Sequence, residues 1–300
     1  MSPTESAILK ALAWHALFSF PLTAEEVRLV APVKLTLAEA VSGLESLRAA
    51  GRVGERNGLF YLAGRDSDVT ERLVRYDLAE RKYARARRFV ALARFLPFVR
   101  GIFVSNTLAR SGAKDSSDID LFVIAADRHV WTARLFTTGL AAALGIRPTP
   151  RDATDGMCLS FYVAEAALDL QSLAFPGDEE LPRWVADFYP LYDEVGVSDA
   201  LFSRNAWIAA TVPNALAPRA VPRRSLPPRL LPLKHLFEAI LGGLEPAARR
   251  FQRSIMPPAL SAGGPGVVVN DEVLKLHCQD RREEHRRRFQ ASLVDLGLES

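Results

Sequence analysis

The sequence predicts an α+β protein in which a mixed-sheet domain lies between helical flanks. Three observations carry the prediction. Residues 98–176 hold short apolar runs of strand length, separated by turn residues and helix-patterned segments. Residues 1–64 hold three helix-patterned segments followed by two short extended runs around Asn57-Gly58. From residue 178 onward, apolar residues recur at spacings of three and four, the helical period. The expected organisation is an N-terminal domain over 1–64, a connecting helix over 65–97, the mixed-sheet domain over 98–176, a helical extension over 177–210, a Pro/Arg-rich linker over 211–232 and a C-terminal helical region over 233–300.

Composition narrows the function classes. The chain has 300 residues, enough for two or three domains, with 49% apolar and 24% charged residues, the mix of an ordinary core-forming protein. A formal net charge of only +3 does not announce a general nucleic-acid binder. The two cysteines, Cys158 and Cys278, are far apart in sequence, so a disulfide framework is not expected and a reducing, cytoplasmic setting is. No apolar run reaches eighteen residues, and the N-terminus lacks a basic segment followed by an apolar block, so neither a membrane span nor a signal peptide is expected.

The elements follow in order. Thr4 is placed to cap a helix over 4–18 with Ile8, Leu9, Leu12, Leu17 and Phe18 as its apolar stripe. Thr23 and Glu26 have capping-box spacing for a short second helix that Pro32 ends. A third helix runs from Thr36 to Ala50 with Leu37, Val41, Leu44 and Leu47 on one face, and Asn57-Gly58 closes a hairpin over 52–62. Three short helices and a hairpin is the winged-helix order, hence a winged-helix-like N-terminal domain. The helix that would enter a DNA groove carries Glu39 and Glu45 beside Arg48, a balance that favours packing or protein contact over phosphate binding.

Residues 66–96 read as one long basic helix, with Leu73, Leu78, Phe89, Leu92 and Phe95 on its apolar side and Tyr76 and Tyr83 sharing a face. Its Arg and Lys residues are expected to form a solvated basic face, with a nucleic-acid or nucleotide-tail surface as the sharper reading. After Pro97 come a strand over Ile102–Ser105, a short helix from Thr107 to about Gly112, a loop over 114–117, a strand over 119–125, a helix over 131–144, a strand over 157–163 and another at 168–171.

The chemistry concentrates at the head of the 119–125 strand. Side chains alternate along a strand, so Asp118 and Asp120 project from one face while Ile119, Leu121 and Val123 take the other. Two carboxylates so close repel unless a cation lies between them, and an oxygen-only pair suits a hard ion such as Mg2+. Ten residues earlier, at the end of the preceding strand, stands Ser105-Asn106-Thr107. This arrangement resembles the nucleotidyltransferase fold of the polymerase-beta superfamily in its small bacterial forms: an apolar strand, Gly-Ser, a spacer of about ten residues, then Asp-x-Asp opening the next strand. Here Asn106 and Thr107 occupy the Gly-Ser positions. The resemblance is specific over 99–125 and looser over 1–210.

The resemblance implies a Mg2+-dependent nucleotidyltransferase that moves an NMP from an NTP to a hydroxyl on a protein, a small molecule or an RNA end. It implies two Mg2+ ions held by Asp118, Asp120 and a third carboxylate on a neighbouring strand. Asp169, flanked by Leu168 and Leu170, is the first choice for the third acid, with Glu165, Asp155 and no third acid at all as the alternatives. Thr107, the amides around Asn106 and Leu108, Lys114 and Arg134 are the expected phosphate ligands. The competing expectation is a non-catalytic regulatory or interaction protein whose nucleotidyltransferase-like domain senses nucleotide or is degenerate. Cys158 reads as a small buried residue, and His277-Cys278 lacks the spacing of a zinc site.

Overall fold

The structure, a computed structural model, describes residues 1–149, 151–194, 196–215, 223–227, 232–261, 263–264, 266–277 and 279–298. Half of the Pro/Arg-rich stretch 211–232, and Cys278, therefore lie outside the described residues. Within them the protein is α+β, with a two-stranded and a six-stranded sheet. No described helix is long and apolar enough to cross a membrane.

Helices α1 (Pro3–Ala16), α2 (Ala24–Val30) and α3 (Leu37–Ala49) each begin with a complete capping box, in which a Ser or Thr hydroxyl and a Glu carboxylate satisfy two of the orphaned first-turn amides. Ser2 and Glu5 form the first box, so the cap lies two residues before the expected Thr4. α1 and α3 pack so closely that a Cβ on Gly43 would stand 2.4 Å from Ile8 Cδ1. Leu44 and Leu47 enter that core, but Leu37 and Val41 stay exposed, against the expectation of a single four-residue apolar face. Strands β1 (Val53–Arg56) and β2 (Leu59–Leu62) pair antiparallel around Asn57 and Gly58, which both take positive φ, the geometry of a type I′ turn.

Helix α4 (Ser67–Ala93) departs from the solvated basic face expected of it. Arg75 is buried and donates to Phe18 O, while Lys82 is fully buried. Lys82 Nζ donates to Asp155 Oδ1 at 2.6 Å, Ser117 O at 2.7 Å and Asp115 O at 3.0 Å. Arg81 reaches Asp115 and Arg85 reaches the Asp155 carbonyl. This basic stripe thus clamps two loops of the sheet domain. The expected apolar side is also different: Phe89 is buried, whereas Leu73, Leu92 and Phe95 are exposed, and Tyr83 is buried while Tyr76 is not.

The large sheet runs in the order β6-β3-β4-β5-β8-β7. Its members are β3 (Val99–Val104), β4 (Ile119–Ala125), β5 (Met157–Ala164), β6 (Tyr189–Asp193), β7 (Val267–Val269) and β8 (Val273–Leu276). Only β4 and β5 run parallel, joined over α6 (Val130–Ala143). One face, with Ile119, Leu121 and Val123, packs on α4, α6 and α10 (Glu245–Ser254). The other, with Phe103, Phe122 and Phe161, packs on α7 (Glu180–Ala186) and α8 (Val197–Arg204).

Three sequence expectations fail here. Residues 189–193 form an edge strand inside the stretch expected to be helical. Residues 267–276 add two further strands in the expected C-terminal helical region. Residues 168–170 link two 3-10 turns, Glu165–Ala167 and Gln171–Leu173, and form no strand. Each of these strands is three to five residues long, too short for its alternation to outweigh the neighbouring helical pattern. The remaining helices α5 (Asn106–Ala109), α9 (Pro232–Leu241), α11 (Pro258–Ser261) and α12 (Arg282–Asp295) complete the chain; α12 packs on α1, and Leu298 joins the N-terminal core.

Candidate functional site

The candidate site is built from the head of β4. Asp120 pairs with Cys158 in the parallel β4–β5 ladder, so the two side chains emerge side by side on one face. A register shift then follows between Asp120 and Phe122: β5 advances three residues, from Cys158 to Phe161, where β4 advances two. A bulge of this kind bends the strand and re-aims its side chains. One donor atom each from Asp118, Asp120 and Cys158 lies within 4.8 Å of the others. Lys82 holds the approach to Asp118 through the Ser117 carbonyl, and the Asp155 amide donates to the same carbonyl at 3.1 Å. The Ser105 amide donates to Asp120 O at 3.1 Å, tying the end of β3 to the acid pair.

The electrostatics of the pair follow from burial. Burial, then the neighbouring Asp118 charge, pushes the Asp120 carboxyl up to about 6, partly offset by a hydrogen bond from the Asn106 side chain. Burial likewise raises Asp118. Cys158 is pushed far above the ordinary thiol range by burial and by the two carboxylates. Among the described residues, neither carboxylate has a salt-bridge partner. The Cys158 thiol donates to Ser160 Oγ at 3.4 Å, and Ser160 Oγ lies 3.1 Å from His277 Nε2. Burial and then the Lys275 charge push His277 down to about 4, so it is neutral near pH 7.

Of these groups, Asp118, Asp120 and His277 open on a cavity of about 520 Å³. The N-terminal helical region contributes Trp14 and Phe18, α7 contributes Leu181, Arg183 and Trp184, and the β8–α12 segment contributes Lys275, His277, Arg281, Arg282 and His285. Asp118 and Asp120 thus enter from β4, and most of the cations enter from the other elements together with two further acids, Glu180 and Asp280, which pair with His285 at 2.6 Å and with Arg282 at 2.7 Å. Several cations are already engaged: Arg110 meets Asp187 at 3.1 Å and Arg282 meets Asp178 at 2.6 Å. Arg281 is exposed in the cavity lining. Trp14 is buried, yet its Nε1–H has no hydrogen-bond partner among the described residues; the buried atoms Trp184 Nε1, Arg183 Nε and His277 Nδ1 likewise have none there. Unpaired buried donors are costly unless something else satisfies them.

The expected site residues divide. Asp118, Asp120, Asn106 and Thr107 line the cavity together. Asn106 adopts φ +56°, the left-handed conformation for which glycine is the usual choice and which asparagine tolerates best among the others. Leu108 turns its side chain into the core. Lys114 is exposed and outside the lining. Arg134 is drawn the other way: its Nη1 donates to Gln252 Oε1 at 2.5 Å, between α6 and α10, and it does not reach the cavity. The expected helix over 107–112 is one turn, Asn106–Ala109.

Asp169 is not the third acid of this cluster. β4 and β5 are parallel, Cys158 stands beside Asp120, and Ala164 stands beside Ala125. Asp169 follows the far end of β5, exposed, where it accepts from the Gln171 amide. Of the alternatives, Asp155 is held by Lys82 and Glu165 lies near Arg100 at 3.6 Å. Cys158 occupies the third place instead. One sequence signal marked it: Cys158 and Ser160 alternate with Met157, Leu159 and Phe161, the period-two pattern that also set Asp118 and Asp120 apart. His277 and Lys275 came with a strand that the sequence reading did not find.

The chain matches no known family model, no curated relative and no solved structure. The reading of the site therefore rests on its own geometry. Two carboxylates and a thiol can hold one divalent ion, and the cations and unpartnered donors of the same cavity suit an anionic ligand.

Proposed function

We propose that the cavity binds a nucleoside triphosphate through a divalent ion held at Asp118 and Asp120, and that the protein transfers the nucleoside monophosphate to a hydroxyl acceptor. The carrying observation is the convergence at the head of β4 of two carboxylates that have no salt-bridge partner among the described residues, in a cavity that several cations also line. Asn106 in the left-handed conformation, beside Thr107 at the end of the adjacent strand, supports the same reading. The ion, when bound, polarises the α-phosphate and stabilises the pyrophosphate that leaves.

The protein's own groups position the reactants. Thr107 presents a hydroxyl at the rim, and exposed Arg281 supplies positive charge for the outer phosphates, with Arg110 and Lys275, each already paired with a carboxylate, adding to the field. Phe18 and Trp184 give aromatic surface for a base. Lys82 and the Ser105 amide fix the acids, which keeps the reacting geometry pre-formed. The donors fit one ion. The two-ion arrangement needs a further carboxylate, and among the described residues the cluster contains only Asp118, Asp120 and Cys158.

A second reading, a nucleotide-sensing protein without turnover, is favoured by one observation: a thiol stands where a third carboxylate is expected. Incubation with each labelled NTP and a divalent ion separates the two. Pyrophosphate release that Asp118→Asn and Asp120→Asn abolish supports transfer. Metal-dependent binding with no pyrophosphate release supports the sensor. Absence of metal-dependent nucleotide binding overturns both.

A further inference from the structure

We infer that Cys158 is a direct metal ligand, so that the site takes a thiophilic divalent ion of the Zn2+ class in preference to Mg2+. This shares with the proposed function only the premise that a divalent ion sits between Asp118 and Asp120. Mg2+ demands an octahedron of oxygen ligands and sheds its waters reluctantly. A thiolate in the ligand set selects zinc-like ions, by softness and by affinity order. Three protein donors with an open fourth position is the usual form of a catalytic zinc site.

The geometry fits such an ion. Donors bound at zinc distances of 2.0–2.3 Å stand roughly 3.5 Å apart in a tetrahedron, so groups already within 4.8 Å close on one ion with shifts of about an ångström. The ladder pairing of Asp120 with Cys158 fixes two of the three on neighbouring strands. Ser160 and His277 stand behind the sulfur in a hydrogen-bonded chain, the kind of support that orients a ligand.

Two independent features point to a missing occupant. The protein pairs several other buried charges with opposite ones: Lys82 with Asp155, Lys234 with Glu194, Arg282 with Asp178. Among the described residues Asp118 and Asp120 have no such partner, so a cation is what the cluster lacks. Trp14, 1% exposed, lines the same cavity, and its Nε1–H has no hydrogen-bond partner among the described residues, so this wall of the cavity lacks an acceptor. Binding would replace the thiol proton by the metal–sulfur bond, releasing the proton to solvent with no change of oxidation state.

The test titrates Co2+, Cd2+, Zn2+ and Mg2+ into full-length protein carrying Cys278→Ser, so that Cys158 is the only thiol. The expected result is a thiolate-to-metal charge-transfer absorption with Co2+ and Cd2+, and Zn2+ binding at least tenfold tighter than Mg2+. Cys158→Ser should abolish the absorption and weaken Zn2+ at least tenfold while leaving Mg2+ binding within about twofold. Cys158→Asp, which completes an all-oxygen set, should reverse the preference. Metal binding without the absorption, unchanged Zn2+ affinity in Cys158→Ser, or no binding of any ion overturns the inference. Circular dichroism on each variant confirms its fold. Failure of the nucleotide reading is recognised separately: sulfur ligation is intact, but the metal-loaded protein binds no NTP.

Discussion

Asp120 and Cys158 are ladder partners across the parallel β4–β5 pair, and the sheet places a thiol against a buried acid. Burial and the Asp118 charge oppose the ionisation of Asp120 at a cost that the hydrogen bond from the Cys158 thiol only partly offsets, while burial and the two carboxylates keep that thiol protonated.

That cost has a pH signature. The folded chain holds Asp120 above its ordinary value of 3.8, near 6, so the folded state binds more protons than the unfolded one between those values. The stability this group confers is fully present below the ordinary value and is lost as pH rises through about 6. In the absence of divalent ions, Asp120→Asn should therefore be more stable than wild type at pH 8 by roughly 2 kcal/mol, and the advantage should vanish at pH 4. Urea unfolding of both proteins at the two pH values measures it. Equal differences at both would show that the carboxyl is not held in its neutral form.

Lys82 is expected to matter more for stability than any other basic residue of α4. Lys82→Ala strands the Asp155 carboxylate and two loop carbonyls, a loss of roughly 3 kcal/mol. Because the loop it clamps leads into Asp118, metal affinity should fall with it. Arg88→Ala, at an exposed position of the same helix, should change stability by less than about 0.5 kcal/mol. Denaturation midpoints of the two variants decide the matter.

Asn106→Gly tests the corner between β3 and α5. Glycine accepts φ +56° without strain, so stability should move by less than about 1 kcal/mol, whereas Asn106→Val should lose about 2 kcal/mol. Removing the side chain opens room for a phosphate and also removes the hydrogen bond to Asp120. On the proposed function, nucleotide affinity rises in Asn106→Gly, measured by equilibrium binding with a divalent ion present. A fall would assign the asparagine a direct part in holding nucleotide.

Asp169 and Arg134 are controls. One is exposed beyond the far end of β5; the other is bound to Gln252 between two helices. Asp169→Asn should leave metal and nucleotide affinity unchanged within about twofold. Arg134→Met should cost stability through the lost Gln252 contact, and leave ligand affinity at the same level. A tenfold loss of affinity in either variant would contradict the placement derived from the strand register.

Glu245 offers a stability test away from the site. Its carboxylate accepts from the Trp131 and Thr132 amides and from the Thr132 hydroxyl, and so caps α6 from outside. Glu245→Ala should lose about 1–2 kcal/mol, read from thermal unfolding, without changing metal affinity.

Local chemistry made several features legible without coordinates. The capping box at Thr23, the helix start at Thr36, the Asn57-Gly58 turn and strand 119–125 rest on interactions among residues near in sequence, which the chain carries wherever it goes. The Asp118 and Asp120 pair belongs to the same class, because alternation alone puts both on one face. Short strands at 189–193 and 267–276 were illegible because a few residues gain strand structure only from a neighbour that sequence distance hides. What the sequence by itself determined was the acid pair and the helix starts. What the tertiary structure decided was the company they keep: the parallel register of β4 with β5 put Cys158, not Asp169, beside Asp120, and β8 brought His277 and Lys275 to the same cavity. Sheet register is a long-range property, set by which apolar faces are buried together, and no local pattern around Asp169 could reveal that it follows the wrong end of the strand.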